Sequence, residues 1–217
     1  MTTTIFFRKP WPGGNFSIEA SFRQMMDVFP ADSSISIRAH TVSNHSKGLL
    51  PRLKILWELR RERTAVNHIN GDIHFGVLAL PRRRTVLTIH DCGFLRHPNP
   101  LYRQILWWFW LKIPVWWVSK VVVVSEATRA DVLRYAGCSP NKIQVIPTII
   151  RNHFSFVPRP FNSQKTKILH IGTAPNKNLE RHILALSGLP VHLHIIGKIS
   201  DRHRDLLTKH RVDYHNE

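Results

Sequence analysis

The chain has 217 residues, 43% of them hydrophobic and 21% charged, and its 31 Lys and Arg against 14 Asp and Glu give a formal net charge of +17. That balance excludes disorder, collagen-like repeats and low-complexity tails, and at about 100–200 residues per domain the length suits one large domain or up to two smaller ones. Two isolated cysteines, Cys92 and Cys138, exclude a disulfide scaffold and a zinc ribbon and fit a reducing cytoplasm.

The start, Met1 to Arg8, has no basic segment followed by a long apolar one, so no signal peptide is expected. The most apolar stretch, Ile105 to Val118, contains Lys112 and Pro114 and falls short of the ~20 residues a membrane span needs. Residues 4–7 read as a strand. The turn Arg-Lys-Pro-Trp-Pro-Gly-Gly follows, then a helix with Ile18, Phe22, Met25, Met26 and Phe29 on one face. The alternation continues with a strand near Ser34–Arg38, a basic helix over about 49–63, a strand near Ala65–Ile69 and another at Thr85–Ile89. A long aromatic helix to about Ser119 and an apolar strand Val121–Val124 come next. Ser125 suits the N-cap of a helix over 126–135 that Gly137 ends, and Lys142–Ile146 makes one more strand. Such alternation predicts an α/β fold with parallel sheets.

Residues 151–165 contain Pro158, Pro160, Asn162 and Ser163 without periodicity and read as a linker. The pattern then restarts: strand Lys167–Ile171, helix over 178–186, strand Val191–Ile196, helix over 201–210, and the start of a further strand at Val212. The expected organisation is a first domain over 1–150, a linker over 151–165 and an incomplete second domain over 166–217.

Gly13 and Gly14 stand between the first strand and helix. On residue preference a glycine pair is simply a turn; at the carboxyl edge of a parallel sheet it also lets backbone approach a phosphate. His90 and Asp91 follow a strand directly, so an imidazole and a carboxylate reach the same edge, where they can bind a hydroxyl or merely open a loop. Gly172, Thr173 and Lys177 lie in another strand-to-helix loop, and a lysine beside free helix amides is suited to phosphate. Standing alone, Lys177 reads as a surface charge. His192 and His194 share a strand face compatible with metal, but no third ligand has fitting spacing, so they and His203, His210 and His215 read as ordinary histidines. There is no nucleophile-elbow serine and no P-loop. Five tryptophans, Trp107, Trp108, Trp110, Trp116 and Trp117, lie among Arg103, Lys112 and Lys120, a pattern shared by a membrane interface and a core helix. The clusters Arg52 to Arg63 and Arg82-Arg83-Arg84 are accounted for equally by nucleic acid, anionic lipid or solubility.

Four segments in order, PGGNFSIEASFRQM, VLTIHDCGFLRHP, VVVVSEATRADVLRYAGCSPNKIQVIPT and ILHIGTAPNKNLERHILAL, resemble the family-4 group of GT-B glycosyltransferases across nearly the whole chain. The resemblance implies a complete Rossmann-like domain on the acceptor side and a second, incomplete one on the nucleotide-sugar side. It also implies transfer with retained configuration from a UDP- or GDP-linked donor to a glycan or lipid-linked acceptor. Gly13 and Gly14 match the family's glycine loop near the donor phosphates, His90 the histidine near the transferred sugar, and Lys177 the lysine on the diphosphate. Asp91, Gly172 and Thr173 flank them within the matching motifs. The resemblance calls for no cofactor and no metal beyond the nucleotide-sugar co-substrate. Two departures stand out: Thr173 occupies a position that is arginine in many relatives, and Thr148 one that is asparagine. No two glutamates are eight apart, as the family's donor-sugar and ribose contacts are, so the expectation is a truncated transferase. Its activity in isolation is left open. The expected setting is the cytoplasm, on the inner face of the membrane where an anionic surface meets the basic clusters, with a complementing chain as one way to complete it. The alternative is a non-catalytic basic module for nucleic acid or membrane, against which stands the lack of any nucleic-acid motif.

Overall fold

The computed structural model describes residues 1–11, 17–30, 33–149, 156–158, 160–162 and 164–217. The chain divides into two compact units, Met1–Phe154 and Ser155–Glu217. The expected linker 151–165 lies partly outside the described residues. Among the described residues no helix is long and apolar enough to cross a membrane.

The first unit contains β1 (Thr2–Phe7), α1 (Ser17–Asp27), β2 (Ser36–Thr41), α2 (Leu49–Arg61), β3 (Val66–Asn70) and β4 (Thr85–Ile89). It continues with α3 (Pro100–Leu106), a π-helical stretch Trp107–Lys112, α4 (Ile113–Trp117), β5 (Lys120–Val123), α5 (Glu126–Ala136) and β6 (Ile143–Val145). The six strands are parallel in the order β2-β1-β3-β4-β5-β6. The strand order therefore reverses between β1 and β3, the place where open parallel sheets receive ligands. Runs such as Val121 to Val124 suit strands covered on both faces. Leu87, Ile89, Val121 and Val123 join Ile55, Leu59, Leu111, Val115 and Val132 in one core.

The expected aromatic helix runs without interruption from Pro100 to Trp117, but its middle winds as a π-helix over Trp107–Lys112, next to Pro114, which has no N–H for the carbonyl of Trp110 and whose ring crowds that turn. His74 Nδ1 takes over as donor to the Trp110 carbonyl at 2.6 Å. The neighbouring rings are split between structure and surface. Trp110 is buried and Trp117 largely so, their indole N–H groups donating to Asp72 (2.5 Å) and to the Leu80 carbonyl (3.0 Å). Trp107, Trp116 and Lys112 converge on the carbonyl end of α5, donating to Tyr135 and Ala136. Trp108, Phe109 and Trp116 remain substantially exposed.

Ser125 caps α5 as its sequence position suggests, accepting from the Thr128 N–H at 3.1 Å, and Gly137 closes it at φ 62°, where a side chain would be strained. The second strand runs two to three residues later than the Ser34–Arg38 expected from its pattern.

The second unit comprises β7 (Thr166–Ile171), α6 (Leu179–Ala185), β8 (Val191–Ile196), α7 (Asp201–Lys209) and β9 (Asp213–Asn216), its three strands parallel and in sequence order. The third strand, foreshadowed at Val212, thus forms. Leu193 and Ile195 pack on Leu179, Ile183, Leu207 and Val212, while Leu169 and Ile171 on the opposite face are exposed.

Candidate functional site

In the first unit the switch point is marked by Arg8, directly after β1, and Gly71, directly after β3. Gly71 has φ 81°, where a side chain would be strained, and the Arg8 side chain lies alongside it, 3.4 Å from where a Cβ would stand. Arg8 also pairs with the buried Glu19 of α1 at 3.1 Å.

His90, one residue past β4, is fixed at both ends. Its Nε2 lies 2.9 Å from Asn70 Oδ1, and because an amide oxygen only accepts, the imidazole donates there and its Nδ1 is left as an acceptor. Its carbonyl accepts from the Thr128 hydroxyl at 3.1 Å. Burial, reinforced by nearby His74, lowers the His90 pKa, so the ring is neutral at physiological pH. Behind it, His68 Nε2 meets Thr88 Oγ1 at 2.6 Å, and burial with the neighbouring His90 pulls its pKa down to about 4. His68, Thr88 and His90, with Ser21 and Thr148, are the polar part of a cavity of about 120 Å³ otherwise lined by apolar side chains, among them Phe22, Met25, Val122 and Val124.

Asp91 adjoins His90 but turns one oxygen into its own loop, accepting from the Gly93 N–H at 2.7 Å. Gly13 and Gly14 lie outside the described residues. Cys92 is buried, its thiol pushed up to about 12 chiefly by desolvation, which keeps it protonated at physiological pH.

In the second unit Gly172, Thr173 and Lys177 do come together. Gly172 has φ 86°, and the Lys177 stem lies over it, 3.3 Å from where a Cβ would stand. Thr173 donates to the Lys198 carbonyl at 2.7 Å, tying the loop after β7 to the loop after β8. Asn178, in the left-handed region at φ 56°, opens α6. Beside this loop a depression of about 300 Å³ is lined by Thr173, Asn178, Arg181 and His203 among others, with Glu180 paired to Arg202 at 2.9 Å.

The strand-end rule that singles out His90 applies equally to Arg8, which the sequence reading passed over. The same rule applies to Asn70, which follows the strand expected over 65–69, whereas Thr128, within α5, has no comparable local signal.

No curated protein matches the chain in sequence. Its backbone is similar to that of HepE from Anabaena bound to UDP and glucose, with a TM-score of 0.59 at 11% identity over 99% of this chain and 68% of that one. It is similar also to MnaA from S. aureus with UDP, at TM-score 0.57 and 11% identity over 99% and 68% of the two chains. A UDP-N-acetylglucosamine 2-epimerase gives TM-score 0.57 and 14% identity over 99% and 67%. At such identities these likenesses establish the fold, which is the α/β, GT-B-like one. The sequence model of Glycosyltransferase Family 4 matches residues 28–152, more than half of the chain and a segment that holds α2, β3 to β6, Asn70, His90 and Thr128. The chain belongs to Glycosyltransferase Family 4.

Proposed function

We propose that the protein takes part in glycosyl transfer with retained configuration, from a UDP- or GDP-linked sugar to a glycan or lipid-linked acceptor in polysaccharide or lipopolysaccharide synthesis. The observation that carries this reading is the pairing of Lys177 with Gly172 at the carboxyl end of β7, beside a depression edged by Arg181 and His203. In the reaction the anomeric C–O bond to the diphosphate breaks as the acceptor oxygen bonds to that carbon on the same face, the acceptor's proton passes to the departing phosphate oxygen, and negative charge gathers on the diphosphate as the bond lengthens. A cation held against the loop stabilises that charge most when it is greatest. In this reading His90, neutral with Nδ1 as an acceptor, takes a hydrogen bond from a sugar hydroxyl, while Arg8, its charge balanced by Glu19, offers a guanidinium edge at the switch point. Gly13, Gly14, Gly172 and Thr173 belong to the phosphate-binding part of the reading and Asp91 to the sugar-side loop. Neither a metal nor a further cofactor is called for in this chemistry.

The structures of UDP-bound relatives in fold, HepE and MnaA, support a UDP-linked donor. Exposed Leu101, Trp108, Phe109 and Trp116, with Lys112 and Arg103 close in sequence, support contact with an anionic membrane on its cytoplasmic side. A complementing chain that supplies further donor contacts fits the same reading.

Calorimetry with UDP and GDP, followed by transfer assays with labelled UDP-sugars, tests it. Saturable binding of one nucleotide that Lys177→Ala weakens supports the reading. Absence of binding, or interconversion of the sugar with no acceptor consumed, overturns it.

A further inference from the structure

The uncovered face of the second sheet carries a second constellation. Strand register sets His194 of β8 opposite His215 of β9, and Glu217 follows two residues later on the same side. The backbone of Glu217 is fixed, its N–H donating to the Ile195 carbonyl at 3.0 Å and its own carbonyl accepting from Gly197 at 2.7 Å. Its Oε1 lies 3.4 Å from Nε2 of His194 and 3.4 Å from Nε2 of His215. The donor atoms of all three side chains fall within 4.8 Å of one another.

A separation of 3.4 Å is long for N–H···O, which sits at about 2.7–3.2 Å. It matches the edge of a tetrahedron with metal–ligand bonds of about 2.1 Å. The neighbouring pair shows the contrast. Asp213 receives Lys165 at 2.7 Å and His192 at 3.0 Å, and these hydrogen bonds hold its carboxyl below the usual range. That set is already neutralised by an ammonium, whereas among the described residues Glu217 has only the two imidazoles as ion-pair partners.

We infer that His194, His215 and Glu217 form a binding site for a divalent transition ion of the zinc type, with at least one coordination position left open. Two imidazoles and one carboxylate suit zinc, and hard ions such as magnesium prefer all-oxygen shells. Sequence spacing offers only His192 and His194. Register across the sheet replaces His192, which is held by Asp213, with His215.

The test is zinc titration of the tag-free chain by calorimetry and against a chromophoric chelator, with cobalt(II) as a spectroscopic substitute. One ion per chain is expected, with the visible absorption of four- or five-coordinate cobalt and no displacement by millimolar magnesium. His194→Gln and His215→Gln should each weaken zinc binding by at least about tenfold, while His192→Gln changes it by less than about twofold. Glu217→Gln, at an exposed side chain, gives the same answer should a histidine variant fold poorly. No saturation at one equivalent, equal binding by these variants, or displacement by magnesium overturns the inference.

Discussion

Asn70 at the end of β3 accepts a hydrogen bond from Nε2 of His90 at 2.9 Å, and this one contact decides which nitrogen of His90 faces a ligand. In Asn70→Ala the ring loses its acceptor and its tautomers mix. Two-bond 1H–15N spectra should show His90 protonated at Nε2 in the parent and averaged in the variant. Transfer should fall by roughly ten- to a hundredfold through misplacement alone, and His90→Ala should abolish it. An unchanged imidazole spectrum would show that the bond does not set the tautomer.

Lys177→Ala should weaken UDP binding by about ten- to a hundredfold, the worth of a charge-assisted hydrogen bond, with Lys177→Arg intermediate; calorimetry reads both. Gly172→Ala acts differently, since it strains a φ of 86° and meets the Lys177 stem at 3.3 Å. It should lower the stability of the second unit by about 1–2 kcal/mol, seen as a shifted denaturation midpoint.

Stability should fall as the solution is acidified through the histidine range. The His68 pKa is about 4 in the folded chain against 6.5 for an ordinary histidine, so between those values the unfolded chain binds more protons. The contribution is whole above the higher value and lost progressively towards the lower one. It amounts to about 2–3 kcal/mol between about pH 7.5 and about pH 4.5. Burial lowers His74 and His90 as well and adds to the same trend. Urea unfolding across that range should show a shallower slope in His68→Leu; an identical slope would assign the effect to other groups.

Ser125→Ala should cost about 1 kcal/mol by removing the α5 cap. Thr128→Val should leave the cap's acceptor in place but free the His90 carbonyl, reducing transfer more than it reduces the melting temperature. Comparing the two variants by thermal unfolding and by activity separates the cap from the positioning of His90.

The strands were legible because runs such as Val121–Val124 have one reading in a parallel sheet, and the cap at Ser125 because it is a local rule. The π-helical turn in the aromatic helix lies beside Pro114, yet its outcome depended on His74, 40 positions earlier, arriving to serve the Trp110 carbonyl. The site divides in the same way. His90 and Lys177 stand out because they follow strands. The Asn70–His90 contact and the His194–His215 pair depend on register between strands, and Thr128 on how α5 packs, none of which spacing along one chain encodes.

The helix α5 has a consequence of a mechanical kind. At its amino end Thr128 grips the backbone of His90, and at its carboxyl end Trp107, Trp116 and Lys112 grip Tyr135 and Ala136. Eleven residues, about 16 Å of helix, thus form a strut between the aromatic surface and the loop that carries His90. Substituting the tryptophans that hold the carboxyl end of α5 should therefore disturb the seat of His90 as well, a change that the imidazole 1H–15N spectrum would read.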